Sequence, residues 1–335
     1  FLLEHLVDYD KHANLPGFKD VGMEMVEAIL PEAAKFFENI VAPTNLDTDQ
    51  QGTQLKNGEV NVAPAIRGLG AQMAESGWTG LGGSRQYEGS GFPGVIDLAV
   101  QEMLQSANMS LSLLPLLTKG VIHALSLYGS DEQKAQFLTK LTTGKWSGTM
   151  NLTEPQAGSD LSTIKTKATP HGDHYLISGQ KIYITWGEHS ETENIIHLVL
   201  ARLPDAPEGT QGISMFLVPK YLVNLDGSIA EKNDVKVGGI EKKLGIHGSP
   251  TCTMIYGDNG GATGYLVGPE NKGLMCMFSM MNNARLAVGN QGVALGERAY
   301  QQAVAFAEQR LQGQSEFAEG RTAIINHPDV KRMLH

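Results

Sequence analysis

The sequence predicts an α+β multidomain protein with an N-terminal helical bundle, a central antiparallel β domain and the start of a C-terminal helical domain. Three observations predict it. Apolar residues recur at three- and four-residue spacing from Phe18 to Leu141, the texture changes to short β-rich runs after Trp146, and the helical period returns from Pro269 onward. The boundaries this implies are 1–148, 149–265 and 266–335.

In the first region, Val26, Ile29, Leu30, Ala33 and Phe37 trace one face of an amphipathic helix. Polar and Gly-rich stretches at Pro43 to Val60 and Gly80 to Gly94 read as loops, and Asp131 ahead of Glu132-Gln133-Lys134 reads as the N-cap of a helix reaching about Leu141. In the second, Tyr175 to Ile177, Lys181 to Thr185, Ile195 to Ala201 and Gly212 to Val218 are short runs separated by polar turns, with no helix-length segment between them, as in an antiparallel domain. In the third, Met277, Met281, Ala284, Val288, Leu295, Ala299, Ala303 and Phe306 predict one long helix ending near Gly313, followed by the start of another.

Composition narrows the function classes. With 26 basic and 36 acidic residues the net charge is −10, which argues against nucleic acid or an acidic membrane surface as the main partner. Two cysteines, Cys252 and Cys276, are too few for a disulfide framework, and no Cys/His spacing resembles a zinc site, so a reducing, cytoplasmic setting is expected. The apolar stretches Ile195 to Ala201 and Leu274 to Met281 fall short of the ~18 residues that span a bilayer, so no membrane span is expected. The chain starts at Phe1 without an initiator Met and ends within a helical pattern at His335, and both ends are expected to lie inside a longer reading frame. The dinucleotide fingerprint fails because Gly68-Leu69-Gly70 is followed by Met73 in place of a third Gly, and no P-loop is present.

The densest polar run, Thr153-Glu154-Pro155-Gln156-Ala157-Gly158-Ser159-Asp160, lies where helices give way to strands. A fixed backbone with free hydroxyls and N–H groups suits it to a polar or anionic ligand; an ordinary capped turn is the other reading. This run, with G-Q-K-I-Y-I-T at 179–185, K-L-G-I-H-G-S at 243–249, G-P-E-N-K-G at 268–273 and A-R-L-A-V-G at 284–289, resembles the acyl-CoA dehydrogenase family over nearly the whole chain. G-E-H-S at 187–190, the insertion at Leu225 to Gly239 and Q-R-L-Q-G-Q at 309–314 are most similar to its large, extended branch, which contains 3-methylmercaptopropionyl-CoA and some long-chain acyl-CoA dehydrogenases.

The resemblance implies the family's fold, here cut short, and FAD between the β domain and the C-terminal helices. It places Thr185 near flavin N5, where a hydroxyl would stabilise developing charge, and Tyr183 against the flavin, where the family often has Trp. A solvent-facing strand Thr and a core aromatic are the alternatives. By the same resemblance Thr153 meets the flavin pyrimidine edge, Met150 and Leu152 contribute backbone groups, and Ser159 lies between FAD and CoA unless it only stabilises its turn. Arg310 matches an Arg that reaches the FAD pyrophosphate of a neighbouring subunit, a role suited to its fork, or else it answers a helix C-terminus. Arg285, in an apolar stretch, and Asn282, where many relatives have Asp, match acyl-CoA contacts; a structural buried pair is the alternative.

The implied reaction is FAD-dependent α,β-dehydrogenation of an acyl-CoA thioester to a trans-2-enoyl-CoA, as in β-oxidation and fatty acid metabolism, with electrons passed to an electron-transfer flavoprotein. An acyl-CoA oxidase and a non-catalytic acyl-CoA- or flavin-binding relative are the alternatives. The family's base is a Glu expected C-terminal to His335; the minority position directly before Arg285 holds Ala284, and Glu154, Glu188 and Glu297 sit at neither place. No catalytic residue is therefore assigned in this chain. A homodimer or dimer of dimers is implied, and no metal.

Overall fold

The computed structural model describes residues 1–335 except Ala13, Pro16, Gly17 and Phe317. Its helical first part holds α1 (Met23–Phe36), α2 (Asn45–Gln51), a small hairpin of β1 (Gln54–Lys56) and β2 (Glu59–Asn61), then α3 (Leu69–Glu75), α4 (Gly94–Ala107), α5 (Met109–Tyr128) and α6 (Asp131–Thr142). The stretch read as a loop at 43–60 therefore contains α2 and most of a hairpin. The N-cap of α6 is Ser130 rather than Asp131. Its hydroxyl accepts the Gln133 N–H while the Gln133 side chain accepts the Ser130 N–H, a reciprocal box that Asp131 cannot form one residue later.

The strands that follow are β3 (Trp146–Asn151), β4 (Lys167–His171), β5 (His174–Thr185), β6 (Asn194–Arg202), β7 (Ile213–Pro219), β8 (Tyr221–Val223), β9 (Ile229–Lys232), β10 (Val235–Ile240), β11 (Thr251–Tyr256) and β12 (Ala262–Val267). The main sheet runs β10-β11-β5-β12-β7-β6-β3, and its first and last strands in sequence, β3 and β12, reach 146 and 267, just outside the 149–265 range. The sheet is mixed, not antiparallel throughout. β3 runs parallel to β6 because the long β5 lies between them in sequence and no hairpin joins them. β4 bonds both β5 and β6, so β5, β12, β7, β6 and β4 close into a small barrel. Ala168, Ile177, Val199, Phe216, Val218 and Ala262 belong to its buried core. The two short runs read at 175–177 and 181–185 are one strand.

The long helix is α7 (Gly273–Gln309), which starts against the backbone of Ser214 and Met215, where a Cβ at Gly273 has no room. It ends before Gly313, and no helix follows directly. Arg310 turns extended at ψ 109°, and β13 (Leu311–Ser315) and β14 (Ala318–Ala323) form a hairpin ahead of α8 (Pro328–Leu334). α5 is 20 residues long with mean hydropathy 1.4, long and apolar enough by length and composition to cross a membrane, which the stretch-by-stretch reading missed. Most of it is buried, with Val121, Ala124 and Leu125 in the core shared by α6, β3, β6, β7 and the first turns of α7.

Candidate functional site

The polar run after β3 folds back on itself. Glu154 and Ala157 exchange two backbone hydrogen bonds, of 2.9 and 3.0 Å, around Pro155-Gln156. The Glu154 carboxylate turns inward, only 3% exposed, and accepts from five donors: Gln156 Nε2, the Lys165 and Thr166 amides, the Thr166 hydroxyl and Lys181 Nζ at 2.8 Å. Burial opposes its charge, but the Lys181 ammonium and these hydrogen bonds outweigh that and hold the carboxyl down at about 2. Lys181 is fully buried on β5, and burial brings its ammonium down to about 8 against the pull of Glu154. The pair is thus ionised at neutral pH.

The same ammonium donates to the Leu152 carbonyl at 3.0 Å, and the neighbouring Ile182 amide donates to the Thr153 carbonyl at 2.9 Å. These two bonds bring the Thr153 segment against β5. Immediately beyond them β5 bulges. Tyr183 takes φ 60°, the register against β11 shifts by a residue, and pairing resumes at Ile184 with Cys252 and Thr185 with Thr251. The bulge breaks the plain alternation that would put Tyr183 and Thr185 on one strand face. Tyr183 is 59% exposed, which rules out core packing as its role. Trp186, at φ 53°, then plunges into the helical core and donates its indole N–H to Ser110 O at 3.1 Å.

Met150 and Leu152 are partly buried against the core around Trp146, Thr153 and Thr185 are half-buried, and Ser159 is exposed in the turn. Among the described residues, the hydroxyls of Thr153, Ser159, Tyr183 and Thr185 make no hydrogen bond, so each is available to a ligand. Next to Thr185, a cleft of about 540 Å³ is lined by Thr251, Lys242, Lys243, His247, Asp49 and Gly52.

The back of β3 is polar and buried. Ser147 contacts His189 and Thr192, Thr149 meets His197 Nδ1 at 2.7 Å, and Asn151 links Thr149 to the Tyr256 hydroxyl. Burial pushes both histidines down to about 3, so they are neutral. The Glu191 amide donates to His189 Nδ1, which leaves Nε2–H to donate to Ser147. The sequence reading missed Lys181 and this network. The available signals were a Lys inside the apolar run K-I-Y-I and the alternation of Ser147, Thr149 and Asn151 along the sequence just after Trp146.

The α7 residues are arranged differently. Arg285 is exposed rather than in an apolar pocket; it donates to Asn282 Oδ1 at 2.7 Å and lies 5.8 Å from the Phe278 ring centre. Within residues 1–335 Asn282 and Arg285 therefore do not form a buried pair. Arg310 lies one residue past the helix, exposed, and donates to Gln312. At ~1.5 Å of rise per residue it is roughly 37 Å along the axis from Arg285, so these two do not share one site within the chain. The tempting carboxylates are engaged: Glu188 pairs with Lys220, and Glu297 accepts from Gln301 at 2.9 Å.

Residues 23–145 match the family profile "Acyl-CoA dehydrogenase, N-terminal domain" and residues 149–259 "Acyl-CoA dehydrogenase, middle domain". The chain is 48% identical, over its whole length, to 57% of a 3-methylmercaptopropionyl-CoA dehydrogenase from Ruegeria pomeroyi, and 35% identical over its whole length to 57% of a butyryl-CoA dehydrogenase from Syntrophomonas wolfei. It thus spans little more than half the length of these relatives. Its fold superposes on an acyl-CoA dehydrogenase from Bacillus anthracis complexed with FAD at a TM-score of 0.74, with 25% identity, covering 94% of this chain and 48% of that one.

Proposed function

The chain belongs to the acyl-CoA dehydrogenase family, and from that premise we propose that it carries the flavin-facing part of an enzyme that dehydrogenates an acyl-CoA thioester to the trans-2-enoyl-CoA. The observation that carries this reading is that the Thr153 backbone is bonded to Ile182 at the bulged end of β5 that bears Tyr183 and Thr185, all three residues with unpaired hydroxyls. These groups fit FAD. They are neutral donors beside an exposed aromatic, and of the two carboxylates in the run Glu154 is turned inward, where it cannot repel an electron-rich ring or phosphate, while Asp160 accepts from the Ser162 amide at 2.9 Å.

FAD, when bound, supplies the acceptor for the hydride leaving the substrate β-carbon. Thr185 would donate to the flavin edge that gains charge, Tyr183 would cover a ring face, and Thr153 with the backbone of Met150 and Leu152 would hold the pyrimidine edge. Ser159 would stand between flavin and CoA. Asn282 and Arg285, already joined at 2.7 Å, would hold the acyl-CoA, with the guanidinium free to spend its remaining donors on it. Arg310, exposed and far from Arg285, would serve the flavin of a second subunit, which makes a homodimer or dimer of dimers part of the proposal. We assign the α-proton to none of Glu154, Glu188 and Glu297, each of which already has a protein donor.

The relative from R. pomeroyi favours a short thioether-bearing acyl group among the family's substrates. An electron-transfer flavoprotein is the proposed acceptor, and the cytoplasm, where the buried thiols Cys252 and Cys276 stay reduced, the proposed compartment. An anaerobic visible spectrum of the complete gene product, before and after adding short and long acyl-CoA, tests this. Bleaching of the oxidised-flavin band supports dehydrogenation and ranks the acyl groups. A flavin that never bleaches favours a binding role, peroxide formed in air favours an oxidase, and a protein without flavin overturns the assignment.

A further inference from the structure

A fully buried lysine is expensive, and in most interiors an apolar side chain of the same size would be at least as stable. Lys181 is 0% exposed, and its partner Glu154 3%. What the pair holds is specific. The ladder of β3 with β6 ends at Asn151 opposite Val199, so the Leu152 carbonyl has left the sheet and needs a donor; Lys181 Nζ supplies it. The Thr153 carbonyl goes to the adjacent amide, Ile182. Two consecutive carbonyls are therefore pinned to two consecutive residues of β5. Lys181 is also the last regularly paired residue of β5 before the bulge at Tyr183, opposite Met254, with pairing restored only at Ile184.

We propose that Lys181, with Glu154 as its counter-ion, is a positioning residue of the flavin site: one buried ammonium fixes the Leu152–Thr153 segment and the start of the Tyr183 bulge relative to each other, so that the Thr153 and Tyr183–Thr185 groups meet the flavin together. This inference rests on the FAD reading above. Lys181 itself touches no ligand; it acts through the Leu152 carbonyl and the Glu154 turn. Its own position in the sequence, two residues ahead of Tyr183, makes the link short enough for a loss at one end to move the other.

The test separates positioning from mere stability. FAD is stripped from the purified protein and added back, and its dissociation constant is read from quenching of flavin fluorescence, well below each variant's melting temperature. The variants are Lys181→Met and a barrel-core control on β7, Val218→Ala, with the flavin absorbance bands recorded for each. The expected result is FAD binding at least tenfold weaker in Lys181→Met with displaced flavin bands, against less than threefold and unmoved bands in the control. Equal weakening in the two, or Lys181→Met bands identical to the parent's, would overturn the inference while leaving the cofactor reading intact. Should Met at 181 prevent folding, Lys181→Arg carries the test. It keeps the charge opposite Glu154 but displaces the point donor from the Leu152 carbonyl, so FAD binding should weaken at least threefold at unchanged melting temperature, and unchanged binding overturns the inference. A parent protein that takes up no FAD would remove the cofactor reading and this inference together.

Discussion

Lys181 and Arg285 are two cations assigned to the same reaction, and they are held in opposite ways. Lys181 lies fully buried on β5, bound to a carboxylate and a carbonyl from a segment about thirty residues earlier in the chain. Arg285 stands exposed on α7, held only by Asn282 one turn before it and the Phe278 ring. The sheet half of the site is built by long-range contacts before any ligand arrives. The helix half has only local support, and Leu286, Val288, Val293, Leu295 and Phe306 are exposed along the same helix. Preorganisation is therefore concentrated where we propose that the flavin sits, and the side proposed to meet the acyl-CoA has no comparable long-range support within residues 1–335.

The contrast can be broken most forcefully at the ion pair. Glu154→Leu leaves a buried ammonium without its counter-ion and strands the Lys165 and Thr166 donors, so urea unfolding should show a loss of about 3–5 kcal/mol. Acid should reach the same pair more gradually. The Glu154 carboxyl is held at about 2 in the fold against an ordinary value of 4.5, so its stabilisation is complete above about 4.5 and drains away as the pH falls toward 2. Melting temperatures from pH 6 to pH 2 should fall accordingly, and the fall should be smaller in Lys181→Met. A more modest loss, about 1–3 kcal/mol, is expected from Gly148→Val. Even a bare Cβ at 148 would lie 2.6 Å from the Val121 side chain, so α5 must move off β3. On the helix side, Arg285→Ala should change unfolding by no more than about 0.5 kcal/mol, while raising the KM for acyl-CoA. A large stability loss there would show that α7 is as prebuilt as the sheet.

The order of helices, strands and helix was legible because each periodicity is local. Barrel closure was not, because whether β4 bonds one neighbour or two depends on β6, some thirty residues downstream. The end of α7 was misjudged for a related reason: the apolar spacing carries no stop signal at Arg310, and the β13–β14 hairpin is fixed by pairing across a turn. In the site, the 153–160 run stood out by its density of polar groups. Lys181 did not, since a single Lys between Gln180 and Ile182 reads as the solvent side of an alternating strand until Glu154 is seen opposite it. Trp186 was equally silent: nothing local says that it leaves the sheet and enters the helical core.

The polar back of β3 has a consequence for how the chain finds its fold. Ser147, Thr149 and Asn151 meet three different partners, His189, His197 and Tyr256. A strand with three alike apolar residues could slide by two positions against β6 and still bury the same face. Here such a slip would confront each hydroxyl or amide with the wrong neighbour and leave several buried polar groups unmatched, each at a cost of about 1–3 kcal/mol. The three side chains thus work as a combination that admits a single alignment, and the segment from Met150 to Thr153 inherits its address from that alignment.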